Sequence, residues 1–189
     1  QKFNTLYQLL ALNEADSVLL KDADCLLFIP DLFNYFLTGE KKCEYTITST
    51  AQLYDPVKGD WAYDLIKEVC PKVNTDIFPE VIPTGTKVGN LSESICNELG
   101  VKSIPVIGVA EHDTGSAVVS VPFYDTKSAY LSSGTWSLLG VELEKPIINE
   151  TTRTLNYTNE GGINNTVRLL KNIMGLWMIN SVRNKHVPE

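Results

Sequence analysis

Apolar positions three and four residues apart predict helices along much of the first part of the chain, because that spacing places them on one helix face. Four segments have this pattern: Phe3 to Leu12, Asp31 to Leu37, Trp61 to Val69 and Asn90 to Gly100. Pro30 and Asp31 suit a helix start, and Gly39 and Gly100 suit helix stops.

A different pattern follows at Ile104 to Ala110, which is short, apolar and rich in β-branched residues. Such a run, entered from a helix, is typical of a buried parallel strand in an α/β unit. The polar residues Glu111 to Thr114 come directly after it. Because ligands of open α/β sheets bind outside the carboxyl ends of strands, these residues are candidates for a functional site.

The pattern changes again after Pro122. Strands at Lys127 to Leu131 and Thr135 to Val141, joined by a tight turn at Ser132 to Gly134, predict a β-hairpin. Further on we predict a loop, a turn and a well-buried helix, in that order: Pro146 to Thr154, Asn159 to Gly162 and Val167 to Val182. The chain therefore divides near residues 118 to 124 into a helix-rich α/β part and a second part that opens with a hairpin.

Composition narrows the classes of function. The 189 residues are 43% hydrophobic, enough for a real core, and the net charge of −7 argues against a nucleic-acid surface. No window approaches the about 18 apolar residues of a membrane span, and no export signal is visible, so we expect no membrane partner and a cytoplasmic location. The four cysteines lack a C-x-x-C spacing and are expected to be free thiols. The Asn-x-Ser/Thr matches are then read as chance.

His112, Asp113 and Thr114 suit phosphoryl transfer, in which a carboxylate at a strand end accepts the proton of an attacking hydroxyl. His112 can hold a substrate hydroxyl, and Thr114 can cap the next helix or touch the substrate. The local alternative is that Asp113 or Thr114 is simply a helix N-cap. A metal site at His112 is not expected, since His186 is the only other histidine, and no G-x-S-x-G nucleophile motif is present.

Two further segments are candidates. Gly134 at a hairpin turn permits a positive φ, so that backbone N–H groups can converge on a phosphate, although a plain turn explains the same residues. Lys171 and Asn172 interrupt an apolar run, with ordinary solvated helix positions as the alternative. Gly175 inside a helix costs about 1 kcal/mol relative to alanine, which indicates close approach of another backbone or a ligand.

Four segments taken in order, GVAEHDTGSAV, AYLSSGTWSLLG, TNEGG and LLKNIMGLW, resemble the FGGY carbohydrate kinases. The resemblance spans nearly the whole chain; SSGTW and KNIMGLW are specific, whereas HDT is shared more widely among sugar kinases. It implies an α/β fold of the ribonuclease H-like, actin-like ATPase type, with a sugar-binding and an ATP-binding domain around a cleft. Residues 1–119 correspond to the end of the first domain and residues 120–189 to the start of the second.

The resemblance implies transfer of the γ-phosphoryl group of ATP, with Mg²⁺, to the 1-hydroxyl of L-rhamnulose. Asp113 matches the proton acceptor, which also contacts the sugar. The other residues that it matches to the sugar are His112, Thr114 and Asn172. The residues assigned to ATP are Thr135, with its turn neighbours Ser133 and Gly134, and Asn180, which stands where the resembling sequences carry glutamine.

The alternatives are a kinase for another ketose, such as L-fuculose or D-xylulose, and a non-catalytic actin-like sugar- or nucleotide-binding protein. An acidic, helix-rich interaction module does not explain why the HDT, SSGT and KNIMG segments occur together. Because family members are longer at both ends, we expect this chain to be a middle fragment that is inactive alone. Half-domain surfaces exposed by truncation would favour association.

Overall fold

A computed structural model describes residues 4–125, 127–134 and 136–187. The described helices, numbered in chain order, are α1 Thr5–Glu14, α2 Val18–Lys21, α3 Ile29–Thr38, α4 Tyr45–Thr48, α5 Tyr63–Val69, α6 Glu93–Leu99, α7 Asp113–Val119, α8 Glu150–Thr154 and α9 Trp177–His186. The described strands are β1 Lys42–Glu44, β2 Tyr54–Asp55, β3 Asp60–Trp61, β4 Glu80–Ile82, β5 Lys87–Asn90, β6 Pro105–Ile107, β7 Ala129–Ser133, β8 Trp136–Leu143, β9 Thr158–Gly161 and β10 Val167–Met174. The chain is therefore mixed α/β.

The strands form one four-stranded sheet and three pairs. The larger sheet has the order β7-β8-β10-β9 and is antiparallel throughout. Its central strands, β8 and β10, pair from Val167 opposite Leu143 to Met174 opposite Trp136. The pair β1–β4 is parallel, whereas β2–β3 and β5–β6 are antiparallel. The predicted hairpin is confirmed as β7–β8, and it opens the second part of the chain.

An aromatic cluster centred on Trp61 organises the core of the first part. The Trp61 ring stacks on Phe28 and contacts Phe78, with centroids 6.4 and 4.9 Å apart, and its indole Nε1 donates to the Pro79 carbonyl at 2.7 Å. Aliphatic and cysteine side chains surround it: Leu9, Leu20, Cys43, Ala51, Leu53, Ile66, Cys70, Val73 and Ile77. Because the indole N–H has this partner, no unsatisfied hydrogen-bond donor of Trp61 is buried inside the apolar cluster.

The helix stops, helix α1 and the free cysteines that were predicted for the first part are confirmed. Helices α3 and α6 end where glycine predicts, since Gly39 and Gly100 adopt left-handed φ values of 80° and 65°. Helix α1 matches its predicted segment from Thr5 onward, and Phe3 lies outside the described residues. The four cysteines are free. In the part of the chain that the structure describes, no helix is long and apolar enough to cross a membrane.

The prediction of a buried parallel strand at Ile104 to Ala110 is wrong. Only Pro105–Ile107 is a strand, and it pairs antiparallel with β5. Ile107 and Val109 are 44% and 62% exposed. A continuous apolar run indicates an extended segment but does not indicate whether its partner strand is parallel or antiparallel. Here the partner is the preceding strand, β5, and the pairing is antiparallel.

The prediction of a buried helix from Val167 to Val182 is also wrong. Its first half is strand β10, and its second half is α9, which buries no side chain. The spacing of Leu169, Leu170 and Ile173 is compatible with one face of a helix and also with a strand that has a neighbour on each side. The pairing with β8 and β9 decides in favour of the strand.

Two smaller predictions for this part also change. The turn predicted at Asn159 to Gly162 lies mostly in β9, because these residues pair with β10. The predicted loop Pro146 to Thr154 contains α8, which Asn149 and Thr152 start with a reciprocal capping box.

Candidate functional site

The segment that follows β6 turns into helix α7 at His112, and this turn presents the Asp113 side chain. His112 is the N-cap residue and Asp113 the first helical residue, so neither Asp113 nor Thr114 is the N-cap that the local alternative required. One Asp113 carboxylate oxygen, Oδ1, accepts from the Thr114 amide at 2.6 Å and lies 3.3 Å from the Thr114 hydroxyl. The Asp113 side chain is 96% exposed. Its carboxylate is therefore held in place yet free to meet a ligand.

The imidazole of His112 lies beside this carboxylate and is largely buried. Nδ1 is 2.9 Å from Arg168 Nη2 and 3.4 Å from Glu160 Oε2, and Nε2 is 3.6 Å from Asp113 Oδ1. Burial, and then the positive charge of Arg168, lower the pKa of His112 to about 4. His112 is therefore a neutral imidazole near pH 7.

Arg168 and Glu160 complete this arrangement, although the sequence analysis assigned a role to neither. Arg168 is 1% exposed, and its Nε donates to the Gly161 carbonyl at 2.8 Å while Nη2 lies 3.4 Å from Glu160 Oε2. Gly115 packs on the guanidinium, where an added Cβ would lie 3.6 Å from Nη2. Glu160 lies in the TNEGG segment, for which the sequence gives a family resemblance but no role for any one residue. Arg168 lies in a segment predicted to be a helix, so its contact with His112 could not be expected.

A cluster of buried carboxyl groups lies behind the turn and fixes its backbone. Glu44, 1% exposed, accepts from the amides of Thr46 and Glu111 at 2.8 and 3.2 Å and from the Thr84 hydroxyl. The Thr46 hydroxyl in turn accepts from the His112 amide at 3.1 Å. These bonds tie the segment before α7 to the start of α4.

Glu111 belongs to the same cluster but has a different environment. Its Oε1 accepts from the Asn34 amide at 2.5 Å, whereas its buried Oε2 finds no hydrogen-bond partner among the described residues. Burial and the neighbouring Asp31 carboxylate raise the pKa of Glu111 to about 9. Asp31, also buried, has a raised pKa, with burial as the main cause. We conclude that a proton resides on Glu111 near pH 7.

The hairpin turn holds a second group of predicted residues, of which Thr135 lies outside the described residues. Gly134 does not have the positive φ that the phosphate-nest argument assumed; the described glycines with positive φ are Gly39, Gly59, Gly85 and Gly100. The Gly134 amide donates to the Trp136 carbonyl at 2.9 Å, so it is already used within the hairpin. The Ser133 hydroxyl lies 3.5 Å from that of Ser137.

Helix α9 begins against this turn. The Leu176 amide donates to the Gly134 carbonyl at 2.9 Å, and a Cβ on Gly175 would collide with the same carbonyl. The prediction that Gly175 permits close backbone approach is confirmed, although Gly175 lies between β10 and α9 rather than inside a helix. Asn180 lies one turn into α9, and its backbone amide donates to the Leu176 carbonyl.

Asn172 links the two groups of residues along β10. It pairs with Leu138 and is exposed. Because side chains alternate along a strand, Asn172 shares a face with Arg168, about 13 Å away at four strand residues. The structure thus brings His112, Asp113 and Thr114 together with Arg168, and it places Asn172 partway along β10 toward the hairpin turn.

The chemistry available at the turn before α7 is that of one accessible carboxylate next to one neutral imidazole. A carboxylate in this position can accept a proton, and an imidazole edge can donate a hydrogen bond to a hydroxyl. Among residues 4–125, 127–134 and 136–187, no group of three or more His, Cys, Asp or Glu residues is placed to hold a metal ion.

Comparison with known proteins gives a consistent result. The family model described as the FGGY family of carbohydrate kinases, N-terminal domain, matches residues 1–120. A rhamnulokinase of Bacteroides thetaiotaomicron is 47% identical over 181 residues, which is 96% of this chain and 37% of that protein. A rhamnulokinase of Oceanobacillus iheyensis is 47% identical over 189 residues, which is 100% of this chain and 39% of that protein. The chain thus spans less than two fifths of the length of these curated relatives.

Solved structures resemble the chain at lower identity. A xylulose kinase of Rhodospirillum rubrum superposes with a TM-score of 0.81 at 14% identity, over 100% of this chain and 38% of the other. A glycerol kinase of Plasmodium falciparum, solved with ADP, gives 0.77 at 19% identity, over 96% and 37%. At such identities the likeness concerns the fold alone. It confirms the predicted fold class, part of a ribonuclease H-like, actin-like ATPase fold.

Proposed function

The chain belongs to the FGGY family of carbohydrate kinases, and from this premise we propose that it is part of an ATP-dependent kinase for L-rhamnulose. In the proposed reaction the 1-hydroxyl of the sugar receives the γ-phosphoryl group. Support for the sugar comes from the rhamnulokinases that are 47% identical to the chain over nearly its whole length. With ATP as co-substrate, the cytoplasm is the proposed location.

The exposed Asp113 carboxylate carries this proposal. Phosphoryl transfer to an alcohol requires the protein to hold and align the hydroxyl and to accept its proton, and it requires little covalent chemistry from the protein. Asp113 is the proposed proton acceptor, since its Oδ1 is anchored by the Thr114 amide at 2.6 Å and the side chain faces outward. His112, 3.6 Å away, is the proposed donor to a sugar hydroxyl.

Thr114 and Asn172 have different positions with respect to this centre. The Thr114 side chain is buried and its hydroxyl is directed at Asp113, so we propose that it acts on the sugar through that carboxylate. Asn172 is proposed to contact the sugar from the exposed part of β10, on the face that also carries Arg168.

The ATP side of the proposal concerns Ser133, Gly134 and Asn180, together with Thr135. The Ser133 hydroxyl, next to that of Ser137, is a suitable donor to a phosphate oxygen. ATP would supply the transferable phosphoryl group, and Mg²⁺ would offset its charge. Mg²⁺ commonly keeps several waters and binds through substrate phosphates with only one or two carboxylates, so a dedicated protein cage is not required.

We also propose that residues 1–119 belong to the sugar-binding domain and residues 120–189 to the ATP-binding domain. Helix α7 ends at Val119, and the family model for the N-terminal domain ends at residue 120. The hairpin β7–β8 follows directly. Because the chain spans under two fifths of its curated relatives, we propose that these 189 residues alone do not turn over substrate.

The test is a coupled ADP-production assay of the intact protein with L-rhamnulose, L-fuculose and D-xylulose. We expect turnover with L-rhamnulose; preference for another ketose would correct the substrate, and sugar binding in calorimetry without ADP release would indicate a non-catalytic protein.

Asp113→Asn should lower kcat by at least about 100-fold while sugar binding persists. The control Asp76→Asn, also exposed, should leave kcat unchanged. Near-normal kcat in Asp113→Asn contradicts the role of Asp113, and turnover by the 189-residue chain contradicts its proposed inactivity.

A further inference from the structure

Arg168 is a buried cation that directly contacts the candidate site from the second part of the chain. Its guanidinium is 1% exposed and reaches His112, which lies 56 positions earlier. Three of its contacts are polar: the Gly161 carbonyl, Glu160 and the His112 ring. A buried charge is costly unless it is paired, so its position next to one ring nitrogen requires an explanation.

We propose that Arg168 is a positioning residue that fixes His112 as the tautomer protonated on Nε2, so that the ring presents a hydrogen-bond donor beside the Asp113 carboxylate. A guanidinium can only donate hydrogen bonds. At 2.9 Å from Nη2, Nδ1 of His112 must therefore accept, and an accepting Nδ1 leaves the ring proton on Nε2. The proposed function enters only in the use of that donor by a sugar hydroxyl.

Glu160 is the group that favours the opposite tautomer, in which Nδ1 carries the proton. Its Oε2 lies 3.4 Å from Nδ1, a long separation for a hydrogen bond, and equally 3.4 Å from Arg168 Nη2. Burial raises the pKa of Glu160, whereas the guanidinium of Arg168 lowers it. Because Arg168 already pairs with this carboxyl group, Glu160 does not require the imidazole proton. The shorter contact, between Arg168 and Nδ1, decides the tautomer.

The charges that face His112 explain why a fixed neutral ring matters. They come from three elements: Asp113 on α7, Glu160 on β9 and Arg168 on β10. Asp113 favours the imidazolium form, whereas burial and Arg168 oppose it. An imidazolium 3.6 Å from Asp113 would neutralise that carboxylate and weaken it as a proton acceptor. By opposing protonation, Arg168 preserves both the donor on Nε2 and the basicity of Asp113.

The direct test is two-bond ¹H–¹⁵N NMR of histidine side chains in the intact protein, with His112 assigned by the signal lost in His112→Gln. We expect the Nε2-protonated tautomer and no titration of His112 between about pH 5.5 and about pH 8. In Arg168→Met, His112 should titrate more than about one pH unit higher than in the wild type. The sugar KM should then rise as pH falls in the variant only. Arg153→Met, which removes an exposed arginine paired with Glu150, is the matched control and should change neither reading.

The outcomes separate this proposal from the proposed function. An Nδ1-protonated His112 in the wild type, or one that titrates near its ordinary pKa, overturns the role of Arg168 whether or not the protein is a kinase. The expected tautomer in a protein without kinase activity would contradict the proposed function alone. If Arg168→Met does not fold, the wild-type tautomer and Arg168→Lys decide. Lysine keeps the charge and, like arginine, can only donate hydrogen bonds, so His112 should stay neutral and keep its proton on Nε2. An Nδ1-protonated His112 in Arg168→Lys, or one that titrates near its ordinary pKa, would overturn the role of a donor at Nδ1.

Discussion

Replacing Glu111 by glutamine should make the protein more stable at neutral and mildly alkaline pH. Glu111 places Oε1 against the side-chain amide of Asn34 and buries Oε2, and its carboxyl group interacts with that of Asp31. That arrangement suits a carboxyl group that carries a proton and can donate to Asp31. Glutamine has the same shape and always carries a donor, so Glu111→Gln supplies at any pH what Glu111 supplies only when protonated.

The magnitude follows from the proton that Glu111 retains on folding. Its pKa rises from an ordinary 4.5 to about 9, so between these values the folded chain holds a proton that the unfolded chain has lost. The contribution of Glu111 to stability is therefore fully present below pH 4.5 and is lost as pH rises toward 9. A full proton corresponds to about 1.4 kcal/mol per pH unit. Because Glu111 is only half buried and shares its site with Asp31, we discount this to about 0.7 kcal/mol per unit.

The assay is urea unfolding of wild type and Glu111→Gln at about pH 7 and about pH 8.5, a range in which His112 is neutral in both folded and unfolded chains. Over this range the wild type should lose about 1 kcal/mol more than the variant. Glu98→Gln, at an exposed position on α6, serves as the control and should follow the wild type. Parallel curves for wild type and Glu111→Gln would refute the proton assigned to Glu111, as would a wild type that gains stability relative to the variant.

Two other pairs of substitutions, each a variant with its control, test the packing of the fold by urea unfolding. Gly175→Ala should lower the free energy of unfolding by about 2 kcal/mol, because its methyl group would meet the Gly134 carbonyl, whereas Gly134→Ala meets only the Trp136 carbonyl at 3.4 Å and should cost less than about 1 kcal/mol. Equal losses would contradict this account of the contact between the turn and α9. Ile66→Ala, at a fully buried position, should cost about 3 kcal/mol, and Leu65→Ala, at a 38% exposed neighbour, should cost less than half as much; a larger loss at Leu65 would reverse the assigned inward face of α5.

The features predicted correctly from the sequence are those decided by nearby residues. Gly39 and Gly100 end their helices because a left-handed residue after a helix is a local requirement. The hairpin β7–β8 is likewise set by a short turn between two apolar runs.

The failures occur where distant residues decide the outcome. Residues Val167 to Met174 form a strand because β8 and β9 flank them, and those strands begin about 30 and about 10 residues earlier. Spacing within the segment allowed either structure. Within Ile104 to Ala110 only Pro105–Ile107 is a strand, and its direction and exposure depend on β5. Local pattern therefore indicated where segments lie, and pairing decided what they became.

The same distinction applies to the candidate site, and it explains why its supporting residues were missed. Glu111 and Asp113 are two positions apart and look equivalent in the sequence, yet one is held against Asp31 and the other faces solvent. His112 between them is neutral because it is buried and because Arg168, from a distant strand, lies beside its Nδ1. Neighbouring acids acquire different chemistry only when the surroundings separate them. The segment from Glu111 to Thr114 therefore supplies the candidate groups, whereas α3, β9 and β10 determine which of them holds a proton.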